Sequence, residues 1–398
     1  MAVLVMAVTA QAALRFGLGD AVAKRSADLM NSAGTMDHSS GSFLDESLAS
    51  CPAGAVYDTL PTDLSTIAAI DPLGHVQPSG HTFPSDHIYF YASTTTVVTH
   101  AAYAPGKVHV TDIASTEYLN ASPVFTDYAI YFYGCKELIT YYSHIRTLSP
   151  SLQNQLAHYP QNCTVYSTGG SSFRRCDANT DITVQDGDLI GYAATSAAFD
   201  FGSYDFRYTP SPFAAPARHT NSQQYYTVCP IDYFTPGPKS AMEAMLGRFD
   251  GGHARTMAPL CGQYNQDVPD TARGFWYFPG APNVPEDPHL ALIFNNDYAP
   301  WETISVGTSL PNHTPAFFTF IPTHSGLVDR EFSDITADGH VYCYDTFYDP
   351  VGQLGAYAGT IVILQMTDST TLRIETQSAA DCSAGSWAFT SNAVSFDR

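Results

Sequence analysis

Short runs of β-branched and aromatic residues recur along the chain, each four to six residues long and most of them closed by Gly, Pro, Asn, Asp or Ser. In the first half they fall at 94–99, 107–110, 128–133 and 138–142, and in the second half at 275–278, 290–294, 317–321, 340–344, 360–364 and 371–374. Runs of this length and composition predict strands. Asp186-Gly187-Asp188 predicts a tight turn feeding a further strand from Leu189. Helical periodicity is scarce. Residues 148–156 accommodate one or two helical turns, and residues 240–247 predict a short helix with Ser240 as N-cap and Gly247 as its stop. The fold class is therefore mostly β, and the second half reads as an antiparallel meander closing into a barrel or a sandwich.

A length of 398 residues is enough for two or three domains. The apolar run 1–12, ending Ala10-Gln11-Ala12, has the form of a signal peptide, and 13–69 is a lead-in without sustained period. A first β domain spans 70–210, a proline-rich linker 211–239, and a second β domain 240–398. No later stretch reaches the length of a membrane span. The net charge of −21 would repel a phosphate backbone, which excludes nucleic acid as a natural partner. Eight cysteines without a C-x-x-C pair argue for disulfides in an exported, extracellular protein, with Cys163–Cys176 and Cys343–Cys382 as candidate local loops. Asn120, Asn162 and Asn312 each open a glycosylation triplet.

The densest group of ligand-type side chains is His75, His81, Asp86 and His87, on a Gly- and Pro-rich stretch that leads into an aromatic run. Imidazoles and a carboxylate on a stiff loop suit zinc or another borderline divalent ion, and equally suit histidines that only hydrogen-bond the loop. His144 follows the aromatic run 138–142. Asp200 lies between Phe199 and Phe201, so strand alternation places it on the opposite face from both rings. The histidines of the second half, His253, His289, His324 and His340, are dispersed singly and read as surface or core residues. Trp276 and Trp301 either line a carbohydrate-binding face or pack in the core. A G-x-S-x-G elbow is absent from the sequence, which argues against a serine hydrolase.

The order of these pieces resembles the M23 family of zinc peptidases, the LytM or lysostaphin-like endopeptidases. The matching segments are His81 with Asp86 or His87, Tyr103-Ala104-Pro105-Gly106-Lys107-Val108, Tyr142-Ser143-His144-Ile145, Gly187-Asp188-Leu189-Ile190-Gly191 and Ala198-Phe199-Asp200-Phe201. The resemblance covers about residues 70–206. It implies a lysostaphin-like antiparallel β domain with zinc held by His81, by Asp86 or His87, and by Asp200, and with His144 as the catalytic residue acting on the attacking water. It further implies a secreted protein that cleaves or binds a peptide, glycan or cell-wall polymer. Two departures stand out. The family's closing His-x-His is Ala198-Phe199-Asp200 here, and Asp86 follows His81 by five positions where the family spacing is four. A member that has lost turnover and only binds, or a self-associating extracellular structural protein, are the alternatives.

Overall fold

Alternation with a period of two builds the first sheet. In the computed structural model, which describes residues 43–93, 100–168, 171–193, 198–209, 212–219, 221–311 and 313–398, eleven strands precede residue 230. They are β1 (Ile67–Asp71), β2 (His87–Ala92), β3 (His100–Tyr103), β4 (Val108–Tyr118), β5 (Phe125–Cys135), β6 (Leu138–Leu148), β7 (Asn162–Thr168), β8 (Ser171–Val184), β9 (Leu189–Ala193), β10 (Phe199–Asp205) and β11 (Thr227–Val228). All pair antiparallel in one sheet of order β1-β2-β10-β6-β5-β4-β8-β7, with β11 on β10 and β9 between β3 and β6. The expected strand 94–99 and the leader 1–12 lie outside the described residues.

One face of this sheet is apolar. Phe199 and Phe201 of β10 lie at centroid distances of 4.8 Å from Phe90 and 5.3 Å from Tyr142 respectively. Helix α1 (Pro150–Leu156) adds Leu152 and Leu156 to the same core. It starts where the Ser149 side chain accepts the Leu152 N–H and Pro150 occupies the first turn. The turn before β9 is formed as expected, with Gly187 at φ 72°, a left-handed conformation that costs glycine nothing.

The proline-rich segment does not leave the first core. Ile231, Phe234, Met242 and Leu246 all pack into it, and Cys229–Cys261 ties the segment to a later loop. Helix α2 (Pro236–Glu243) starts four residues before the expected Ser240. Pro236 at its N-terminus, following Thr235, supplies a pre-set φ and lacks only an N–H that the first turn leaves unpaired anyway, so the helix begins there and Ser240 lies inside it.

Eight strands follow: β12 (Gly274–Trp276), β13 (Leu290–Phe294), β14 (Glu302–Val306), β15 (Ala316–Phe320), β16 (Tyr342–Tyr344), β17 (Thr360–Asp368), β18 (Thr371–Ser378) and β19 (Val394–Asp397). They form two sequential four-stranded meanders. Trp276, Leu292 and Phe318 from the first meander share one core with Tyr344, Leu364 and Ile374 from the second. The arrangement is two sheets on a common core and not a closed barrel. All eight cysteines are paired, as Cys51–Cys135, Cys163–Cys176, Cys229–Cys261 and Cys343–Cys382, which fits folding in an oxidising compartment. Among the described residues no helix is long and apolar enough to cross a membrane.

The loop 72–86 joins the two halves. Phe83 stacks on His289 at 5.1 Å and meets Phe275 and Tyr277 edge-on, its N–H donates to Glu286 at 2.9 Å, and the Ser305 hydroxyl donates to the Thr82 carbonyl at 2.7 Å. Asn296 donates to the buried Asp71 carboxylate at the end of β1. The segment that carries His81 is thus seated on the second half of the chain.

Candidate functional site

The polar face of the same sheet collects most of the candidate residues. Pairing sets Asp200 opposite Tyr89 on one side and Ser143 on the other, with Gly202 between His87 and Tyr141. Because successive side chains alternate, Asp200 stands on the face away from Phe199 and Phe201, as the sequence pattern implies. Gly202 is required here. A Cβ at that position would lie 2.3 Å from the Tyr141 ring, which crosses the strand to reach the His87 side.

Asp86 and His87 divide the work between them. The Asp86 carboxylate accepts from His87 Nδ1 at 2.9 Å, from Tyr141 at 3.0 Å, from Tyr204 at 2.7 Å and from Gln224 at 2.9 Å. Burial by itself would raise its pKa, yet these donors hold the carboxyl well below the usual carboxylate range. Four donors occupy the Asp86 carboxylate. His87, held through Nδ1, turns Nε2 toward Asp200, 3.5 Å from Oδ2. His87 is 3% exposed and Asp200 1%, and among the described residues neither His87 Nε2 nor Asp200 Oδ1 has a hydrogen-bond partner.

His144 reaches the same carboxylate from the other strand. Between the pairs Tyr128↔Ile145 and Ile130↔Tyr142 the ladder of β5 and β6 slips, so Ser143 and His144 together face a single residue. His144 takes φ 62°, a left-handed conformation that a bulge imposes and that a side chain rarely adopts. At this point β6 also changes partner, from β10 through Ser143 to β9 from Ile145 onward. The result is that consecutive side chains converge. The Ser143 hydroxyl donates to Asp200 Oδ2 at 2.5 Å, while His144 sets Nδ1 against Asp127 at 2.9 Å and Nε2 3.4 Å from Asp200 Oδ2. Burial opposes charging of this imidazole, but the two carboxylates outweigh it and push its pKa up to about 9.

His81 lies on the loop, closed by mutual backbone hydrogen bonds with Gln77. Its ring centroid is 5.6 Å from that of His87 and 6.3 Å from that of Tyr89. Burial first, then the neighbouring imidazoles His87 and His75, hold its pKa well below the ordinary value, so it is neutral, the form that ligates metal. His75 stands apart from this group, with Nδ1 3.1 Å from Asp71.

The donor types, though not their spacing, are those that bind a borderline divalent cation. Two nitrogens and a carboxylate, with a second carboxylate behind one imidazole, are the ligand types and outer support of zinc sites, and the unpartnered His87 Nε2 and Asp200 Oδ1 are the atoms such an ion would satisfy. Asp86 sits behind His87 and belongs to the support. Among the described residues only His324, Glu331 and Asp334 bring three ligand atoms within 4.8 Å of one another; His81, His87 and Asp200 do not. There His324 is largely exposed and Glu331 already accepts from Ser333 and Arg273, which describes a surface charge network.

Asp127, Tyr141, Tyr204 and Gln224 are absent from the sequence-derived set. Asp127 lies on the strand paired with that of His144, but the ladder between them slips twice, between Tyr133 and Cys135 and between Tyr128 and Ile130, so the turn at Cys135 and Leu138 does not by itself place it there. Tyr204 shares the face of Asp200 by period two. Gln224 arrives from a short 3₁₀ turn of the linker and carries no sequence signal. Trp276 is wholly buried against the core, and Trp301 stacks between Tyr298 and Tyr348. Comparison of the chain with family models, with curated proteins and with solved structures finds no match.

Proposed function

We propose that this is a secreted, metal-dependent hydrolase of the M23 type or a binding protein derived from one, acting on a peptide or a peptide-bearing cell-wall polymer. The observation that carries the reading is the buried pair His87 Nε2 and Asp200 Oδ1, oriented from behind and lacking partners. In a stable interior, polar atoms left open in this way cost about 1–3 kcal/mol each, a cost that a ligand offsets. His87 and Asp200 would hold zinc together with His81. When bound, zinc supplies Lewis-acid polarisation of a scissile carbonyl and acidifies water.

The chain's own residues supply the rest. Asp86 keeps the His87 ring in one orientation and tautomer, with the proton on Nδ1 and the lone pair on Nε2. Asp127 orients the His144 ring and favours its protonated form, so that Nε2 is placed to hold or pass a proton beside Asp200. Ser143 fixes the Asp200 carboxylate so that Oδ1 stays open. The replacement at Ala198 leaves one imidazole fewer for stabilising developing negative charge, which favours slow turnover or binding without turnover.

Elemental analysis of protein purified without chelator tests the reading, paired with cleavage of glycine-rich peptides and peptidoglycan. Near one equivalent of zinc is expected in wild type. Below one tenth of that is expected in His87→Ala and Asp200→Ala, and peptide turnover is expected to vanish in His144→Ala while its zinc is retained. Metal-free wild-type protein, or full zinc in both ligand variants, would overturn it; zinc without turnover selects the binding form.

A further inference from the structure

A cleft of about 590 Å³ lies beside the site, between the linker segment 224–233 and the loop 259–265, and is distinct from the His81, His87 and Asp200 group. We propose that it binds a neutral saccharide. The reasoning starts from charge. Its lining contains no Lys, Arg or His, so nothing there compensates an anionic ligand. Its two carboxylates, Asp232 and Glu243, share one lysine outside the lining, Lys239 at 2.5 Å and 3.8 Å, so the single residual negative charge disfavours an anion further and lies next to a cation already in place.

What remains is aromatic surface with uncharged polar edges. Tyr208, Tyr225, Tyr233 and Tyr264 all line it. Three of their hydroxyls are already committed: Tyr225 donates to the Pro216 carbonyl at 2.8 Å, Tyr233 to Asp205 at 2.6 Å and Tyr264 to Gln224 at 3.0 Å. Those bonds fix the rings, and fixed rings lose little entropy when a ligand packs on them. The walls are further tied by Cys229–Cys261, which lines the cleft and joins its two sides. A pyranose has apolar C–H faces that pack on tyrosine rings and equatorial hydroxyls that need uncharged partners; Thr227, whose hydroxyl donates to the Gln224 carbonyl at 2.8 Å, keeps its acceptor lone pairs, and Gln263, whose Nε2 donates to the Asn265 carbonyl at 2.5 Å, keeps a second N–H. The volume lies within the ~300–1,000 Å³ of small-molecule sites. Tyr208, 46% exposed, is the most exposed of the four rings.

The test is a titration of chitobiose and cellobiose, followed by protein NMR and calorimetry, with digalacturonate as the anionic control. Saturable binding of at least one neutral disaccharide is expected, roughly tenfold weaker in Tyr208→Ala. Binding is also expected to survive chelation, since none of the proposed metal ligands lines the cleft; this separates failure here from failure of the metal reading. Absence of saturable binding by every neutral sugar, equal affinity in Tyr208→Ala, or a preference for digalacturonate would each overturn the proposal.

Discussion

His87 and His289 are both buried imidazoles in a β-sheet protein, yet they are completed in opposite ways. His289, 0% exposed, accepts the Phe278 N–H at Nδ1 and donates through Nε2 to the Pro282 carbonyl at 2.9 Å, so the second half closes its histidine with backbone alone. Glu302, also in the second half, spends one oxygen on Arg273 and the other on the Phe332 N–H. In the first half, His87 is finished on one side only, and Asp200 likewise. Burial of polar groups therefore does not by itself mark a site. At these two histidines the distinction is whether each ring nitrogen has its partner; among the described residues His75 Nε2, His100 Nε2 and Asp297 Oδ1 are open as well, so an open atom carries weight only where imidazole and carboxylate meet, as at His87 and Asp200.

The comparison is tested most severely at Asp86. Asp86→Ala leaves the His87 imidazole and three further donors facing an empty position, and the expected destabilisation is about 3–5 kcal/mol, read from urea unfolding, together with loss of metal. A change below about 1 kcal/mol would mean that the support described here is not holding the ring.

The next effect belongs to His289 and is a pH dependence. Burial depresses its pKa to about 4, against an ordinary value near 6.5. The unfolded chain then binds the extra proton first, so the stabilisation is complete above about pH 6.5 and is lost as pH falls toward 4, by about 3 kcal/mol. Denaturant unfolding of wild type and His289→Gln at pH 7, 5 and 4 measures it; parallel stability curves for the two proteins would remove the assignment.

The smallest effect is expected at the surface triad. His324→Ala should shift stability by less than about 0.5 kcal/mol and leave metal content unchanged. Zinc lost in this variant would move the metal from the sheet to the His324, Glu331 and Asp334 cluster and invert the comparison.

Much of this architecture is legible in the residue pattern, for reasons that also define where legibility stops. Alternation around Asp200 predicts its face correctly because period two is a property of any strand. The strand at 302–306 escapes because it interleaves Glu302, Thr303 and Ser305 with Ile304 and Val306, and the polar members are buried by partners far away in sequence. The start of α2 is set by Pro236, a stronger local signal than the Ser240 expected to cap it. Two open sheets on one core and a closed barrel share the same strand pattern, so the choice between them is invisible until pairing is known. At the site, the histidines of residues 75–87 announce themselves, but the bulge that turns His144 toward Asp200 depends on a slip in hairpin register that composition does not encode.

The seating of residues 82 and 83 on the second half has a temporal meaning. The bonds that anchor this loop span 203 and 223 positions of sequence, from Phe83 to Glu286 and from Ser305 to Thr82. Contacts of such separation form late, after closure of a long loop, and a chain made from its N-terminus must wait for its distal strands before they exist at all. The loop bearing His81 therefore acquires its final shape only when synthesis and folding of the far sheet are complete, so the order of assembly itself keeps the site unfinished in the nascent chain.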